Sequence, residues 1–212
     1  VAQGNEKVLA ARLADAQFFY KEDQKVSYEE WNDKLKQLDL HDRLGTIYEK
    51  EQRVQEIVTI IANNYDLSEK KKDALTRAAE IYKTDLVSEV VNEFTELQGL
   101  IGGQYALERG ESEEVSQAIA EQYLPTSTDG ELPSSELGAL LSVSDKLDTL
   151  IQFFSANMIP TGSNDPFALR RQAMGVIRIV MELGQPFKLI DILEQITQTI
   201  DLKDEIKEGY QE

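Results

Sequence analysis

Apolar residues recur along this chain at three- and four-residue steps, the spacing of one face of an α-helix, and strand-like alternation is nearly absent. After Asn5, the positions Val8, Leu9, Leu13, Ala16 and Phe19 or Tyr20 mark a first helix. A shorter amphipathic segment runs through Tyr28, Trp31, Leu35 and Leu38. A long helix is predicted from Leu44, Ile47, Tyr48, Val54, Ile57, Val58, Ile61 and Tyr65. Asp66 and Glu69 have capping-box spacing for the next, through Leu75, Ala78, Ala79 and Tyr82; Thr95 and Gln98 give a second box. Thr84 or Asp85 starts a further short helix, and Gly102-Gly103 marks a break or a tight helix approach.

Ser112 caps a helix ending near Tyr123, and residues 125–135 form the clearest loop. Ser135 opens a helix through Leu140, Leu141, Leu147, Leu150, Ile151 and Phe154. A second loop, 159–166, ends in Asp165-Pro166, a strong start signal: Asp accepts N–H bonds and Pro is preset for the first helical position. Pro186 begins another helix, and Asp201 with Asp204 a last polar one. The pairs Phe18-Phe19-Tyr20 and Phe153-Phe154 read as core packing, with base stacking as the alternative. The expected fold is all-α, in one domain with helical extensions over residues 1–212.

Composition narrows the function. With 41% hydrophobic residues in 212, the chain has enough material for a sizeable core. Its formal charge of −17 argues against indiscriminate nucleic-acid binding, so any RNA contact needs a local basic patch. The acid excess otherwise reads as a solvated surface. No membrane span or signal peptide is expected, and the absence of cysteine fits a cytoplasmic location. Because the chain opens on Val1 with helical pattern close behind, it reads as a piece of a longer polypeptide.

Several chemistries lack their parts. No Gly-Lys-Ser/Thr phosphate loop occurs, and the Gly-rich stretch 99–103 has no strand before it to make a dinucleotide site. His41 is the one histidine and stands by no nucleophile elbow. Asp145 and Asp148 share a helix face at i,i+3; they would hold Mg²⁺ only weakly through water, and solvated helix charges are the commoner explanation.

His41-Asp42 invites comparison with the HD phosphohydrolases, whose helices supply one His, then adjacent His and Asp, then a final Asp to a divalent metal. The order of helices resembles that family: Arg53-Val54, then Ala78-Ala79, then the run Ser144-Asp145-Lys146-Leu147. Asp145 matches the last ligand. Lys50 stands where the first His belongs, and Tyr82 and Lys83 where the His-Asp pair belongs. His41-Asp42 comes too early and reads as a chance dipeptide at a helix start. The resemblance therefore implies an HD-like fold with flanking helices, a degenerate site and no metal; an active metal-dependent phosphohydrolase remains the weaker alternative.

A closer resemblance covers nearly the whole chain. Gly4-Asn5-Glu6-Lys7-Val8-Leu9, Arg12-Leu13-Ala14-Asp15-Ala16, Lys83-Thr84-Asp85-Leu86-Val87, Phe94-Thr95-Glu96-Leu97-Gln98-Gly99 and the run from Ile159 to Arg171 resemble the beta subunits of bacterial glycyl-tRNA synthetases. That resemblance implies a central region of the subunit, with tRNA(Gly) and an alpha subunit as partners. It implies no cofactor of this region's own, since ATP and Mg²⁺ are used by the alpha subunit. Arg170, Arg171 and Arg178, with Lys188, are the candidates to meet tRNA phosphates, aided by the helix N-terminus after Asp165. The alternative for Arg170 is pairing with Asp165 or Asp145 to lock the loop to the core. Lys70-Lys71-Lys72 reads as a solvated face. A purely structural connector that touches no RNA is the alternative for the region as a whole.

Overall fold

The computed structural model describes residues 2–199. Among them stand ten α-helices: α1 (Ala2–Asp23), α2 (Tyr28–Leu35), α3 (Ile47–Asn64), α4 (Glu69–Ile81), α5 (Glu89–Glu93), α6 (Leu100–Glu108), α7 (Glu113–Glu121), α8 (Glu136–Ser155), α9 (Leu169–Glu182) and α10 (Leu189–Thr199). The helical expectation holds, with one addition. A hairpin of β1 (Asp39–His41) and β2 (Gly45–Thr46) precedes α3, and Gly45 turns it with a φ of 81°. His41-Asp42 therefore lies at the end of a short strand, not at a helix start. The His41 ring meets Phe153 and Phe167 edge-on, which fastens the hairpin to the far end of α8.

Helix α8 is the axis. Every residue from Leu137 to Thr149 is buried, because α3, α4, α7 and α9 pack around it. The main core joins Val54, Ile57 and Ile61 of α3 to Leu75 and Ala79 of α4, Ile119 of α7, Leu140 and Leu141 of α8, Ile179 of α9 and Ile192 of α10. A second cluster, Leu44, Phe153, Ala156 and Leu169, sits under the hairpin. A third, Trp31, Val90 and Tyr105, joins α2, α5 and α6. Buried Asp23 at the end of α1 ties this third cluster together. Its carboxylate accepts from Glu89 N (2.8 Å), Val90 N (3.1 Å) and the Tyr105 hydroxyl (2.6 Å).

Ser112 and Ser135 cap α7 and α8 as their spacing predicts. Other boundaries differ, each for a local reason. Leu44 turns into the second cluster, so α3 starts at Ile47 behind a Thr46 cap. Ser68, nearer the helix than Asp66, caps α4. The Thr84 and Thr95 segments are single 3-10 turns, both without a side-chain cap. Helix α9 begins at Leu169, three residues after Pro166: Phe167 packs its ring 4.4 Å from that of Phe153, and Ala168 takes a φ of 53° to enter the helix. Asp165 still accepts N–H bonds, from Leu169 (2.9 Å) and Arg170 (3.0 Å). Helix α10 likewise begins at Leu189 rather than Pro186. The helix expected at Asp201 and Asp204 lies outside the described residues.

Core packing fails for Phe18 and Phe154, which are exposed, as are Val8, Leu9 and Leu13 of α1. In the lysine run, Lys71 meets Glu136 at 2.7 Å and Lys72 meets Glu69 at 3.5 Å, so that face is ion-paired as well as solvated.

Gly102-Gly103 is a tight approach within α6, not a break. A Cβ at Gly103 would stand 2.6 Å from the Ser116 carbonyl oxygen of α7 and 3.0 Å from the Ala120 Cβ. Gly103→Ala must push α6 off α7, and a loss of about 1–3 kcal/mol is expected from overpacking of this kind. Urea denaturation measures it, and an unchanged midpoint would contradict the contact.

Candidate functional site

Three of the buried polar positions on α8 are charged: Asp145, Lys146 and Asp148. One turn separates the two aspartates, so both carboxylates face α3 and the end of α4. They are buried, not solvated helix charges. Helix α3 answers with Lys50 and Arg53, again one turn apart. Arg53 grips Asp148 through Nε (2.7 Å to Oδ1) and Nη2 (3.2 Å to Oδ2). The Lys50 Nζ donates to Asp148 Oδ2 (3.0 Å), the Asp145 carbonyl (3.2 Å) and Thr149 Oγ1 (2.8 Å), and lies 3.5 Å from Asp145 Oδ1. Tyr82, at the C-cap of α4, donates its hydroxyl to Asp145 Oδ1 at 2.7 Å. Lys83 lies 3.4 Å from the same oxygen, over the rings of Tyr123 (4.2 Å) and Tyr82 (4.8 Å).

Lys50, Tyr82, Lys83 and Asp145, separated by up to 95 positions in sequence, thus meet in one buried cluster. Three signals for its other members were weak in the sequence. Asp148 shares a helix face with Asp145 at i,i+3, but Glu51 lies in an ordinary helical context and Tyr123 just before a loop. Glu51 is buried, and its Oε2 accepts the Lys83 backbone N–H at 3.2 Å.

Burial alone would raise the Asp145 carboxyl; Lys50 and Lys83 instead hold it well below the usual carboxylate range. Burial alone would lower the Lys83 ammonium, and Asp145 holds it well above its ordinary value. Burial pushes Glu51 up to about 8 and Asp85 up to about 6. Tyr82 is raised well above its ordinary value, by burial and then by Asp145. Asp145 is accordingly an ionised acceptor already saturated by donors, unsuited to act as a base.

These residues do not fit a divalent metal. Asp145 already has two ammonium groups within 3.5 Å. At about 4 Å and an effective dielectric near 20, each opposes an added positive charge by about 4 kcal/mol per unit. Among the described residues, no group of three or more His, Asp or Glu side chains is placed to hold a metal ion.

Beside Asp145 opens a cleft of about 410 Å³, walled by α3, α8, α9 and the Pro125-Thr126 loop. Arg171 stands at its rim, on the face of α9 that also carries Arg178. Arg178 donates to the Thr128 carbonyl at 2.9 Å, and Arg170 turns away to the Gly162 carbonyl at 2.6 Å. Arg170 does lock the 159–166 loop, through a backbone carbonyl rather than the side chain of Asp165 or Asp145. Arg171 and Arg178 thus share a face of α9, while the Arg170 side chain turns to the 159–166 loop. Lys188 is exposed just before α10. No helix among the described residues is long and apolar enough to cross a membrane.

The model of the family "Glycyl-tRNA synthetase beta subunit" matches residues 1–212. The chain is 53% identical over 189 residues to the glycine–tRNA ligase beta subunit of Lactiplantibacillus plantarum, covering 89% of this chain and 27% of that protein. It is 49% identical over 211 residues to the same subunit of Ligilactobacillus salivarius, covering 100% of this chain and 30% of that one. To the Listeria monocytogenes subunit it is 48% identical over 196 residues, at 92% and 28%. The chain thus spans about three tenths of the length of these relatives.

Two outcomes follow from the cluster. Lys50→Met removes one cation, yet Asp148 keeps Arg53 and Asp145 keeps Lys83 and Tyr82. The cost should fall at the low end for a broken buried pair, about 3 kcal/mol, read by urea denaturation. Glu51 holds its proton more tightly folded than unfolded. Stability from this group is therefore complete below about 4.5 and drains away as pH rises to about 8. Asp85 acts in the same sense but is finished by about 6. The Lys146 ammonium, lowered to about 8 by burial, contributes only above that pH. Glu51→Gln should thus flatten the fall in stability between pH 6 and 8, and an unaltered slope would show that Glu51 is ionised in the folded protein.

Proposed function

The chain belongs to the glycyl-tRNA synthetase beta subunit family, and we propose that it serves that enzyme as a non-catalytic, tRNA-binding and structural region. In this reading the alpha subunit, using ATP and Mg²⁺, joins glycine to tRNA(Gly) in the cytoplasm, and the present region helps to hold the tRNA and the neighbouring parts of beta. The observation that carries it is the charge cluster on α8. Where helices of this order would otherwise gather ligands for a metal, Lys50, Tyr82 and Lys83 occupy the positions around Asp145 and fill them with positive charge and a phenol. The arrangement of α3, α4 and α8 is accordingly read as an HD-like frame with its metal site lost, kept for its shape.

Contact with RNA is assigned to α9. Its three arginines are set against one acidic residue of the same helix, Glu182, a local excess of cations in a chain of net charge −17. Arg171 is exposed on the helix, and its guanidinium has the planar fork that suits a phosphate. Arg170 and Arg178 spend one donor each on loop carbonyls, which favours a second, structural component: they stiffen the loops beside α9 so that the surface is presented in one shape.

The test is titration of labelled tRNA(Gly) at two salt concentrations, with the wild type and with Arg170→Ala/Arg171→Ala. Loss of a phosphate contact should weaken binding and reduce the salt slope by about 1 per contact. An unchanged slope in the double variant would assign both arginines to structure alone. No binding at low salt by the wild type would leave the connector reading.

A further inference from the structure

Lys146 is buried on α8, yet its ammonium meets only neutral oxygens. Its Nζ donates to Ser142 Oγ (2.8 Å), the Leu124 carbonyl (3.0 Å) and the Tyr123 carbonyl (3.3 Å). Among the described residues no carboxylate comes within ion-pair distance of it. A desolvated ammonium left without a counter-charge is costly, and proteins rarely keep one unless something supplies the charge. Its neighbours supply only part of it: Asp145 acts on Lys146 without pairing directly. Asp145 is shared by Lys50 and Lys83, and Asp148 by Lys50 and Arg53.

The cleft beside this lysine concentrates the imbalance. Four cationic side chains line it, Lys50, Lys83, Lys146 and Arg171, against the single carboxylate of Asp145. Thr126, Thr149 and Gln172 add polar groups, while Leu40, Ile47, Leu86 and Pro125 make an apolar wall. Lys83 has one direct carboxylate partner, Asp145 at 3.4 Å, with Asp85 acting on it from farther off and the Tyr82 and Tyr123 rings beside it. Burial lowers the Lys146 ammonium to about 8; Asp145 offsets this only in part, and Lys83, Lys50 and Arg171 add to the lowering.

We propose that this cleft is a binding site for a phosphate monoester, whose dianionic group sits among Lys83, Lys146 and Arg171 with its organic part against the apolar wall. A dianion matches the surplus charge better than a single carboxylate does. Lys83 and Lys146 are about 95% buried, at 4% exposure each, so a terminal phosphate reaches them where the flank of a duplex backbone does not. The volume, about 410 Å³, lies in the range that accepts a small organic molecule. Helix α9 is shaped for the purpose at Gly175: a Cβ there would stand 3.0 Å from Lys146 Cε and 3.4 Å from Pro125 Cδ. The tRNA reading and this one share Arg171, whereas Lys83, Lys146 and Gly175 belong to the cleft alone, so Gly175→Ala separates them.

Equilibrium dialysis at constant ionic strength, with inorganic phosphate, AMP and adenosine, tests the site. Phosphate and AMP should compete for one site and adenosine should not displace phosphate. Arg171→Gln removes an exposed cation without disturbing the core and should weaken phosphate about tenfold, the scale of one charge-assisted contact. Gly175→Ala displaces Lys146 while keeping its charge, and should weaken binding too. Lys146→Met should abolish it; if that variant does not fold, the other two decide. A hairpin RNA with a 5′-phosphate, compared with its 5′-hydroxyl form, identifies the source. Displacement of phosphate by the first alone assigns the site to a strand end, and displacement by neither assigns it to a free phosphate compound. No phosphate binding, or binding unchanged in both Arg171→Gln and Gly175→Ala, would overturn the proposal. Either failure would leave the tRNA titration unaffected.

Discussion

Two buried carboxylates on a central helix set the terms for everything packed around them. Asp145 and Asp148 lie on α8 where solvent does not reach, and a buried carboxylate is tolerated only when it is matched by charge and hydrogen bonds. The matching groups come from two other helices. Arg53 and Lys50 of α3 take Asp148, and Tyr82 and Lys83 at the end of α4 take Asp145. Aliphatic packing would allow α3 to slide along α8 by a turn at moderate cost. A bidentate Arg53 contact one turn from a lysine that bridges both aspartates permits one register only. The cluster thus does for helix placement what a ladder of hydrogen bonds does for strands.

The same pairing decides what chemistry is excluded. A helix frame that gathers carboxylates is one step from a metal site, but here the cations are built in. Lys50 and Lys83 cannot leave Asp145 without stranding it, and a divalent ion cannot join without meeting both. Rigidity and the exclusion of a divalent ion are one property. That suits membership of a synthetase subunit family in which, by our reading, the reaction belongs to another subunit.

How much of this was legible in the sequence depended on the range of the interaction that mattered. Ser112 and Ser135 were readable as caps because a cap is settled within four residues. Asp165 was read as a cap and does accept N–H bonds, but the helix waits until Leu169, because Phe167 is drawn to Phe153 by contacts no local rule contains. Asp145, Lys50, Tyr82 and Lys83 were found through resemblance, by asking what stands at the positions of a known ligand set. Their mutual contacts were not readable, and the Asp145–Asp148 pair reads as solvated charge until α3 and the end of α4 are placed over it. Glu51 and Tyr123 had no signal: a glutamate in a helix and a tyrosine before a loop become part of the site only through tertiary contact.

A chain of net charge −17 is an unpromising surface for polyanions, yet its charge is unevenly spent. Acidic side chains lie mainly outside, while the cleft between α8 and α9 gathers cations that the two buried aspartates only partly neutralise. In low-dielectric surroundings such a surplus acts over short distances and strongly, whereas the acidic exterior acts over longer distances and is screened by salt. The combination discriminates by shape: an anion small or slender enough to enter gains the interior cations, and one that remains outside meets the acidic field. Selection of this kind needs the cluster to stay closed and the cleft to keep its width, and both are fixed by the way Asp145 and Asp148 hold α3 and α4 against α8.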